Sequence, residues 1–306
     1  MLMKLQGIVP PIVTPLHARD AVDREGLERL IEHMLAGGVH GIFALGSTGE
    51  APSLSYEARR DMIRATCQLV NGRVPVVVGI TDTAIAESLH LAKYAADQGA
   101  DAVVAAPPYY FPTEPPELQE YYLHLNQELP LPLILYNMPG LTKVQMSVDM
   151  VRTLMDQPNI IGIKDSSCSM MYYQKLLKLT ERRPGWFTLI GPEELLCESV
   201  MQGGNGGVHG GANLVPSLFV KTYEAVLAHD YDRALALQRQ ILKLGDAIYR
   251  VGKYGSAIIK GLKCALALSD ICDDYMADPL HRFRQEEQTI IRKNLEDLKA
   301  SGILTP

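Results

Sequence analysis

A lysine at the end of an apolar segment is the strongest candidate for chemistry in this chain. Lys164 follows the run Ile160–Ile163 and precedes Asp165. A side chain at the end of a buried strand faces the mouth of a sheet or barrel, where loss of water favours the neutral amine over the ammonium. A neutral amine can attack a carbonyl carbon and form a Schiff base. The alternative is a lysine that extends to solvent or pairs with Asp165.

A glycine-rich turn follows the apolar segment Gly41–Leu45 and has the sequence Gly46-Ser47-Thr48-Gly49-Glu50. Consecutive N–H groups and two hydroxyls in such a turn can converge on a carboxylate or a phosphate. An ordinary turn, in which Ser47 or Thr48 caps the next helix, is the alternative.

Tyrosines occur at two further segment ends. Tyr136 closes the run Leu133–Tyr136, and Tyr109 and Tyr110 follow Ala102–Ala105. A phenol close to the amine could move protons while a carbinolamine forms and loses water. The alternative for each is a buried tyrosine whose hydroxyl only finds an acceptor.

The remaining candidates lie near the end of the repeating pattern. The glycines of 203–211 surround Val208 and His209 and would let a ligand approach the backbone closely. With His17 and the pair Glu193 and Glu194, His209 could belong to the ligand set of a metal-dependent aldolase. No H-x-H or H-E-x-x-H spacing supports that alternative.

The elements that must position these residues follow one repeating pattern, an apolar run and then a segment of helical spacing. The runs are Gly7–Thr14, Gly41–Leu45, Val74–Ile80, Ala102–Ala105, Leu133–Tyr136, Ile160–Ile163, Phe187–Ile190 and Gly207–Val208. Eight units of this size predict an α/β protein with a (β/α)8 TIM barrel. A doubly wound open sheet is the competing fold, but no G-x-G-x-x-G follows the first run.

Beyond Ala212 the apolar spacing is helical, which predicts the last barrel helix and about three extra helices. No Gly/Ser-rich or Pro-rich linker separates them from the barrel. We therefore expect one domain over 1–306, with the barrel at 1–229 and a helical C-terminal extension at 230–306.

Composition narrows the class of protein further. The chain has 306 residues, with 29 Lys+Arg, 35 Asp+Glu, a net charge of −6 and a pI near 5.8, which argues against nucleic acid or an anionic membrane as a partner. No apolar run approaches the roughly 18 to 20 residues of a membrane helix. Five cysteines without C-x-x-C spacing favour a reducing compartment, so we expect a cytoplasmic protein.

Four ordered motifs carry a resemblance over essentially the whole chain: 46–50, Pro108-Tyr109-Tyr110, Tyr136-Asn137-x-Pro139 and Gly162-Ile163-Lys164-Asp165. Together they resemble the dihydrodipicolinate synthase / N-acetylneuraminate lyase family. The resemblance implies a class I, lysine-dependent lyase or aldolase that uses or releases pyruvate. It implies no metal and no other cofactor.

The resemblance also implies roles for the candidate residues. Lys164 would form the Schiff base and Tyr136 would relay protons, while Ser47 and Thr48 would hold the pyruvate carboxylate and join the relay. Members of this family are commonly homotetramers built as dimers of dimers.

Two further roles come from the same resemblance. Tyr110 would reach into the site of a neighbouring subunit, and Val208 would offer its backbone carbonyl.

One position departs from the synthase branch of the family. Synthases carry an arginine two residues after the proline of the Tyr-Asn-x-Pro motif, where it binds a carboxylate, and this chain has Leu141 there. The neuraminate lyase and 2-keto-3-deoxy sugar-acid aldolase branches have an apolar residue at that place. They bind sugar hydroxyls with residues that match Ser166, Glu193 and Glu194, although this chain has Gly210 where neuraminate lyases have a serine.

The sequence therefore predicts reversible aldol cleavage or condensation with pyruvate, on a 2-keto-3-deoxy sugar acid or an N-acetylneuraminate-like substrate. The partners would be pyruvate and an aldehyde or keto-acid substrate. The alternatives are dihydrodipicolinate synthesis from pyruvate and aspartate semialdehyde, which Leu141 disfavours, and dehydration of a 2-keto-3-deoxy acid through the same imine. A non-catalytic 2-oxo-acid sensor is the alternative from a different class.

Overall fold

Short parallel strands form a closed barrel in the computed structural model, which describes residues 5–304. The strands of this part of the chain are β1 (Gly7–Ile8), β2 (Leu16–Ala18), β3 (Ala21–Val22), β4 (Ile42–Ala44), β5 (Val76–Gly79), β6 (Ala102–Ala105), β7 (Leu133–Asn137), β8 (Ile160–Asp165), β9 (Phe187–Ile190) and β10 (Gly206–Gly207). All except β2 and β3 pair in parallel, in the order β1-β10-β9-β8-β7-β6-β5-β4. A parallel bridge between Pro11 and Phe43 joins the two ends. The predicted (β/α)8 barrel is confirmed.

The first predicted strand is much shorter than expected. The sequence predicts a strand over Gly7–Thr14, but β1 ends at Ile8. Pro10 and Pro11 have no N–H group, so they cannot donate to a neighbouring strand. Beyond them the backbone pairs with β4 at the bridge, where the N–H of Ile12 donates to the carbonyl of Phe43 at 2.9 Å. The antiparallel pair β2 and β3 was not predicted.

Helices alternate with the barrel strands and cover the outside of the barrel. They are α1 (Arg24–Ala36), α2 (Tyr56–Val70), α3 (Ile85–Asp97), α4 (Pro115–Glu128), α5 (Pro139–Thr142), α6 (Val148–Met155), α7 (Met170–Thr180), α8 (Leu196–Met201), α9 (Pro216–Leu227), α10 (Tyr231–Tyr249), α11 (Ala257–Leu268) and α12 (Gln285–Ala300). The last three follow the final barrel helix α9 and pack on one another. Within residues 5–304, no helix is long and apolar enough to cross a bilayer.

Side chains pointing inward from alternate strand positions fill the barrel below its mouth. They form a cluster of buried residues that includes Val77, Ile134, Ile161 and Leu189. Gly162 is required at its place because a Cβ there would lie 2.4 Å from the ring of Phe187. The interior is therefore a packed floor, and the open space lies above it at the carboxyl ends of the strands.

Candidate active site

The pairing of β7 with β8 places Tyr136 and Lys164 side by side. Tyr136 is directly opposite Lys164 in the register of the two strands. Side chains at paired positions of parallel strands point to the same face, and here both face the barrel interior. Lys164 Nζ lies 4.1 Å from the centroid of the Tyr136 ring and 5.3 Å from that of Phe43. The lysine is only 5% exposed, so it does not extend to solvent.

Asp165 does not pair with the neighbouring lysine, because successive residues of a strand point to opposite faces. Its Oδ1 accepts from Asn137 Nδ2 at 2.8 Å, and its Oδ2 accepts from Ser167 Oγ at 2.9 Å. Burial raises the pKa of Asp165, and the hydrogen bonds from Asn137 and Ser167 act in the opposite direction. Asn137 Oδ1 also accepts from the N–H of Met146 at 3.0 Å. This network ties the ends of β7 and β8 together and fixes Tyr136 against Lys164.

The phenol of Tyr136 is set up for proton transfer. Its hydroxyl lies 3.4 Å from Ser47 Oγ. Burial acts to raise the pKa of Tyr136, but the charge of Lys164 and hydrogen bonds with Ser47, Lys164 and Ser166 outweigh it and lower the pKa. A phenol that gives up its proton more readily beside an amine is suited to general acid–base work.

The glycine-rich turn 46–50 follows β4 and brings both of its hydroxyl residues to the mouth. The N–H of Gly49 donates to the carbonyl of Gly46 at 3.0 Å, which closes the turn tightly. Ser47 faces Tyr136, whereas Thr48 faces the loop after β10. A Cβ built on Gly210 would lie 4.0 Å from Thr48 Oγ1. The turn therefore lies between Tyr136 and the loop after β10.

A cavity of about 240 Å³ opens beside Tyr136 at the mouth of the barrel. Ser47, Tyr109, Met138 and Leu141 are among the residues that line it, and no lysine or arginine of the described residues does so. Leu141 is 57% exposed and borders the opening. At position 141 the mouth therefore presents an apolar side chain in place of the cation that an arginine would provide.

Tyr110 lies away from this cavity. It is 76% exposed and stacks edge-to-face on Phe111, which is 75% exposed, with ring centroids 5.2 Å apart. Within one chain, the structure therefore brings together Lys164, Tyr136 and Ser47 but not Tyr110.

The two acidic residues after β9 have different surroundings. Glu193 is buried, and its Oε2 accepts from the N–H of Gly211 at 3.0 Å and from the hydroxyl of Tyr249 at 3.2 Å. Its Oε1 has no hydrogen-bond partner among the described residues. Burial raises the pKa of Glu193 to about 7. Glu194 is exposed on the same turn.

Ser166 follows β8 and packs against the backbone after β9. A Cβ on Gly191 would lie 2.0 Å from Ser166 Oγ, so only glycine leaves space for this hydroxyl. The close approach keeps Ser166 beside Tyr136 at the mouth.

Val208 and His209 lie on opposite faces after β10. Val208 points into the barrel, while His209 stacks on Phe219 of α9 with ring centroids 5.5 Å apart. The His209 Nδ1–H donates to the carbonyl of Gly191 at 3.0 Å, and burial lowers the pKa of His209 to about 3. The imidazole is therefore neutral and packs between strand and helix. Within residues 5–304, no group of three or more His, Cys, Asp or Glu is placed to hold a metal ion.

A barrel with a buried lysine beside a tyrosine at its carboxyl-terminal mouth is the arrangement that a class I lyase requires. The family model described as the dihydrodipicolinate synthetase family matches residues 4–298. The chain belongs to this family, and it is a pyruvate-dependent lyase of the class I kind.

Individual relatives cover nearly the whole chain but differ in the reactions their names give. The dihydrodipicolinate synthase of Bacteroides thetaiotaomicron is 51% identical, with a TM-score of 0.94 over 97% of this chain and 100% of that one. A probable 2-dehydro-3-deoxy-D-pentonate aldolase of Escherichia coli (strain K12) is 31% identical over 261 residues, 85% of this chain and 86% of the relative. YagE of E. coli K12, solved in complex with pyruvate, is 28% identical, with a TM-score of 0.90 over 96% and 98% of the two chains.

Sequence reasoning missed several residues that support the site. Asn137 and Asp165 directly follow Tyr136 and Lys164, so their position after the two reactive groups was a signal that they hold the strand ends. The contact of Tyr249 with Glu193 joins residues 56 apart in the chain and had no local signal.

Proposed function

We propose that this protein catalyses reversible aldol cleavage of a 2-keto-3-deoxy sugar acid or an N-acetylneuraminate-like substrate, releasing pyruvate. The observation that carries the proposal is the buried Lys164 amine, 4.1 Å from the centroid of the Tyr136 ring at the mouth of the barrel. No metal or organic cofactor is needed, because an imine on Lys164 is itself the electron sink.

The reaction begins with attack of the Lys164 amine on C2 of the 2-oxo acid. Tyr136 supplies the proton with which the carbinolamine hydroxyl leaves as water, and the imine forms. Tyr136 then accepts the proton of the C4 hydroxyl as the C3–C4 bond breaks, and the bonding electrons move into the imine to give an enamine. Protonation at C3 and hydrolysis release pyruvate and restore the amine.

The pyruvate end of the substrate fits the glycine-rich turn. Ser47 and Thr48 would hold the carboxylate, and the 3.4 Å contact of Ser47 Oγ with Tyr136 OH supports a part for Ser47 in the proton relay. Val208 would contribute its backbone carbonyl.

Tyr110 would complete the site of a neighbouring subunit in a homotetramer. The exposure of Tyr110 and Phe111 supports this role, since large exposed aromatic side chains are enriched at interfaces between proteins.

The substrate class is inferred from the other end of the site. Leu141 cannot bind the carboxylate of aspartate semialdehyde, and the nearby cation of Lys143 is exposed and donates to the carbonyl of Gly140 at 2.7 Å. Ser166 lies beside Tyr136 and Glu194 is exposed on the turn after β9, so both could bind sugar hydroxyls, and Glu193 is buried on the same turn. The similarity to a pentonate aldolase supports a polyhydroxylated substrate.

Dihydrodipicolinate synthesis is the second candidate, favoured by the 51% identity to the B. thetaiotaomicron synthase. It would share every step up to the imine and enamine. A dehydratase would share the imine only: loss of a C3 proton would give the enamine, and the C4 hydroxyl would then take up a proton and leave as water while the C3–C4 bond stays intact.

The first experiment is borohydride reduction in the presence of pyruvate, followed by peptide mass measurement. A reduced pyruvate adduct on Lys164 in the wild type, absent from Lys164→Ala, would support the imine mechanism. A folded wild type without an adduct would overturn it, and loss of activity in EDTA would instead favour a metal-dependent aldolase.

The acceptor is then identified by an aldehyde screen that contains sugar aldehydes, N-acetylmannosamine and aspartate semialdehyde. Turnover of sugar aldehydes supports the proposal, and turnover of aspartate semialdehyde alone contradicts it. An adduct on Lys164 with no turnover of any acceptor would indicate the 2-oxo-acid sensor.

A further inference from the structure

A fully buried ion pair joins the turn 46–50 to helix α11. Lys263 Nζ lies 2.8 Å from Glu50 Oε1, and the two side chains are 0% and 1% exposed. The residues are 213 positions apart in the chain, so the pair connects the barrel mouth to the helices that follow the barrel.

Every polar group of this pair has a partner. The ammonium of Lys263 also donates to the backbone carbonyl of Thr14 at 2.9 Å and to that of Tyr275. Glu50 Oε2 accepts from the N–H of Ala277 at 2.9 Å. A buried ion pair is often no more stabilising than apolar side chains of similar volume, because both charges lose their hydration. Stability alone therefore does not explain why both charges are buried here. The pair also fixes the backbone of the turn 46–50.

The geometry that the pair controls is that of the turn. Glu50 has a φ of +57°, in the left-handed region that non-glycine residues rarely adopt unless their surroundings hold them. Its N–H donates to the carbonyl of Ser47 at 3.1 Å, and the carbonyl of Gly49 accepts from Thr14 Oγ1 at 2.7 Å. Lys263 thus fixes the last residue of the turn, and the turn fixes the backbone of Ser47.

We infer that Glu50 and Lys263 are positioning residues that shape the turn to bind the carboxylate of the 2-oxo acid, an inference that rests on the proposed function. The pair acts through Ser47 and Thr48 and has no contact with the reacting amine. Loss of the pair should weaken binding of substrates that carry a carboxylate and leave the reactivity of Lys164 toward other carbonyl compounds intact.

The test compares borohydride trapping of two carbonyl compounds on Lys164 of the whole protein. Pyruvate carries the carboxylate, and acetone forms the same kind of imine without one. For Glu50→Gln we expect the half-saturating concentration of pyruvate to rise at least about tenfold, as for loss of a hydrogen bond to a charged group. The rate of trapping by acetone should stay unchanged.

A second buried ion pair supplies the matched control. Arg59 and Asp82 lie 2.9 Å apart, with side chains 7% and 6% exposed, beside α2. Asp82→Asn should lower the thermal unfolding midpoint but leave the half-saturating pyruvate concentration unchanged. If Glu50→Gln does not fold, Glu50→Asp retains the charge with a shorter side chain and should give a smaller rise for pyruvate only.

The positioning role would be overturned if a Glu50 variant lost trapping of pyruvate and acetone equally, or if it bound pyruvate as well as the wild type does. Either result would leave the proposed function standing. A wild type that pyruvate does not modify would overturn the proposed function and this inference with it. The two failures are distinguishable because the second appears without any substitution.

Discussion

The buried carboxyl of Glu193 makes stability depend on pH in a direction that unfolding experiments can measure. Burial raises its pKa from the ordinary value of 4.5 to about 7, while the hydrogen bonds from Gly211 and Tyr249 act in the opposite direction. In the unfolded chain the group titrates near its ordinary pKa, so between these values the folded state holds a proton that the unfolded state has released. The stabilisation is complete below about pH 4.5 and is lost as the pH rises through about 7.

The size of the effect follows from the two pKa values. One pKa unit corresponds to about 1.4 kcal/mol, so the free energy of unfolding should lose about 3 kcal/mol from Glu193 over the whole interval. About 2 kcal/mol of this loss should fall between roughly pH 5.5 and 8. Glu193→Gln keeps the shape and the acceptor for Gly211 and Tyr249 but does not titrate, so it should lack this contribution.

The assay is urea unfolding of the wild type and of Glu193→Gln at several pH values in this range. The wild type should lose stability relative to the variant as the pH rises. His209 does not affect the difference between the two proteins, because both carry it and its pKa of about 3 keeps the imidazole neutral in the folded state. The assignment of a protonated, buried Glu193 carboxyl would be refuted if the free energies of unfolding of the two proteins changed in parallel with pH. It would also be refuted if the wild type became more stable relative to the variant as the pH rises.

Four further substitutions test the site and the packed interior beneath it. Lys164→Ala should abolish both turnover and the borohydride adduct without lowering the thermal unfolding midpoint, and residual turnover would contradict the imine mechanism. Tyr136→Phe should lower kcat by about 10² to 10⁴ because a general acid–base group is lost, as steady-state kinetics would show. Leu141→Arg should raise turnover of aspartate semialdehyde over that of sugar aldehydes, and an unchanged ratio would count against Leu141 as a specificity residue. Gly162→Ala should cost about 1 to 3 kcal/mol in urea unfolding, because its Cβ would meet the Phe187 ring at 2.4 Å.

The barrel and the positions of Tyr136 and Lys164 at strand ends were predictable, because short stretches of sequence determine them. Each strand is a short apolar run, and β6 and β9 occupy the residues that the sequence predicted. The strand period of two also decides whether Lys164 pairs with Asp165, since neighbours on one strand face opposite sides. Reading that alternation from the sequence would have removed the ion pair as an alternative.

Other features were not predictable because they depend on contacts between distant residues. The shortening of β1 follows from Pro10 and Pro11, whose missing N–H groups were visible in the sequence but whose pairing partners were not. The burial of Glu193 depends on Tyr249, and the role of Glu50 depends on Lys263. Acidic residues after a strand look alike in the sequence, whether they end in solvent, as Glu194 does, or in the interior.

The cross-strand pairing of Tyr136 with Lys164 constrains the lengths of β7 and β8 during evolution. Deleting or inserting one residue within β7 or β8 would turn one of the two groups to the opposite face, because the side chains alternate. Exposed positions beyond the same strands, such as Leu141, take no part in this pairing and do not affect which face the two groups point to. Descendants of this chain could therefore acquire new acceptors by substitution at such positions while the length of the two strands stays the same.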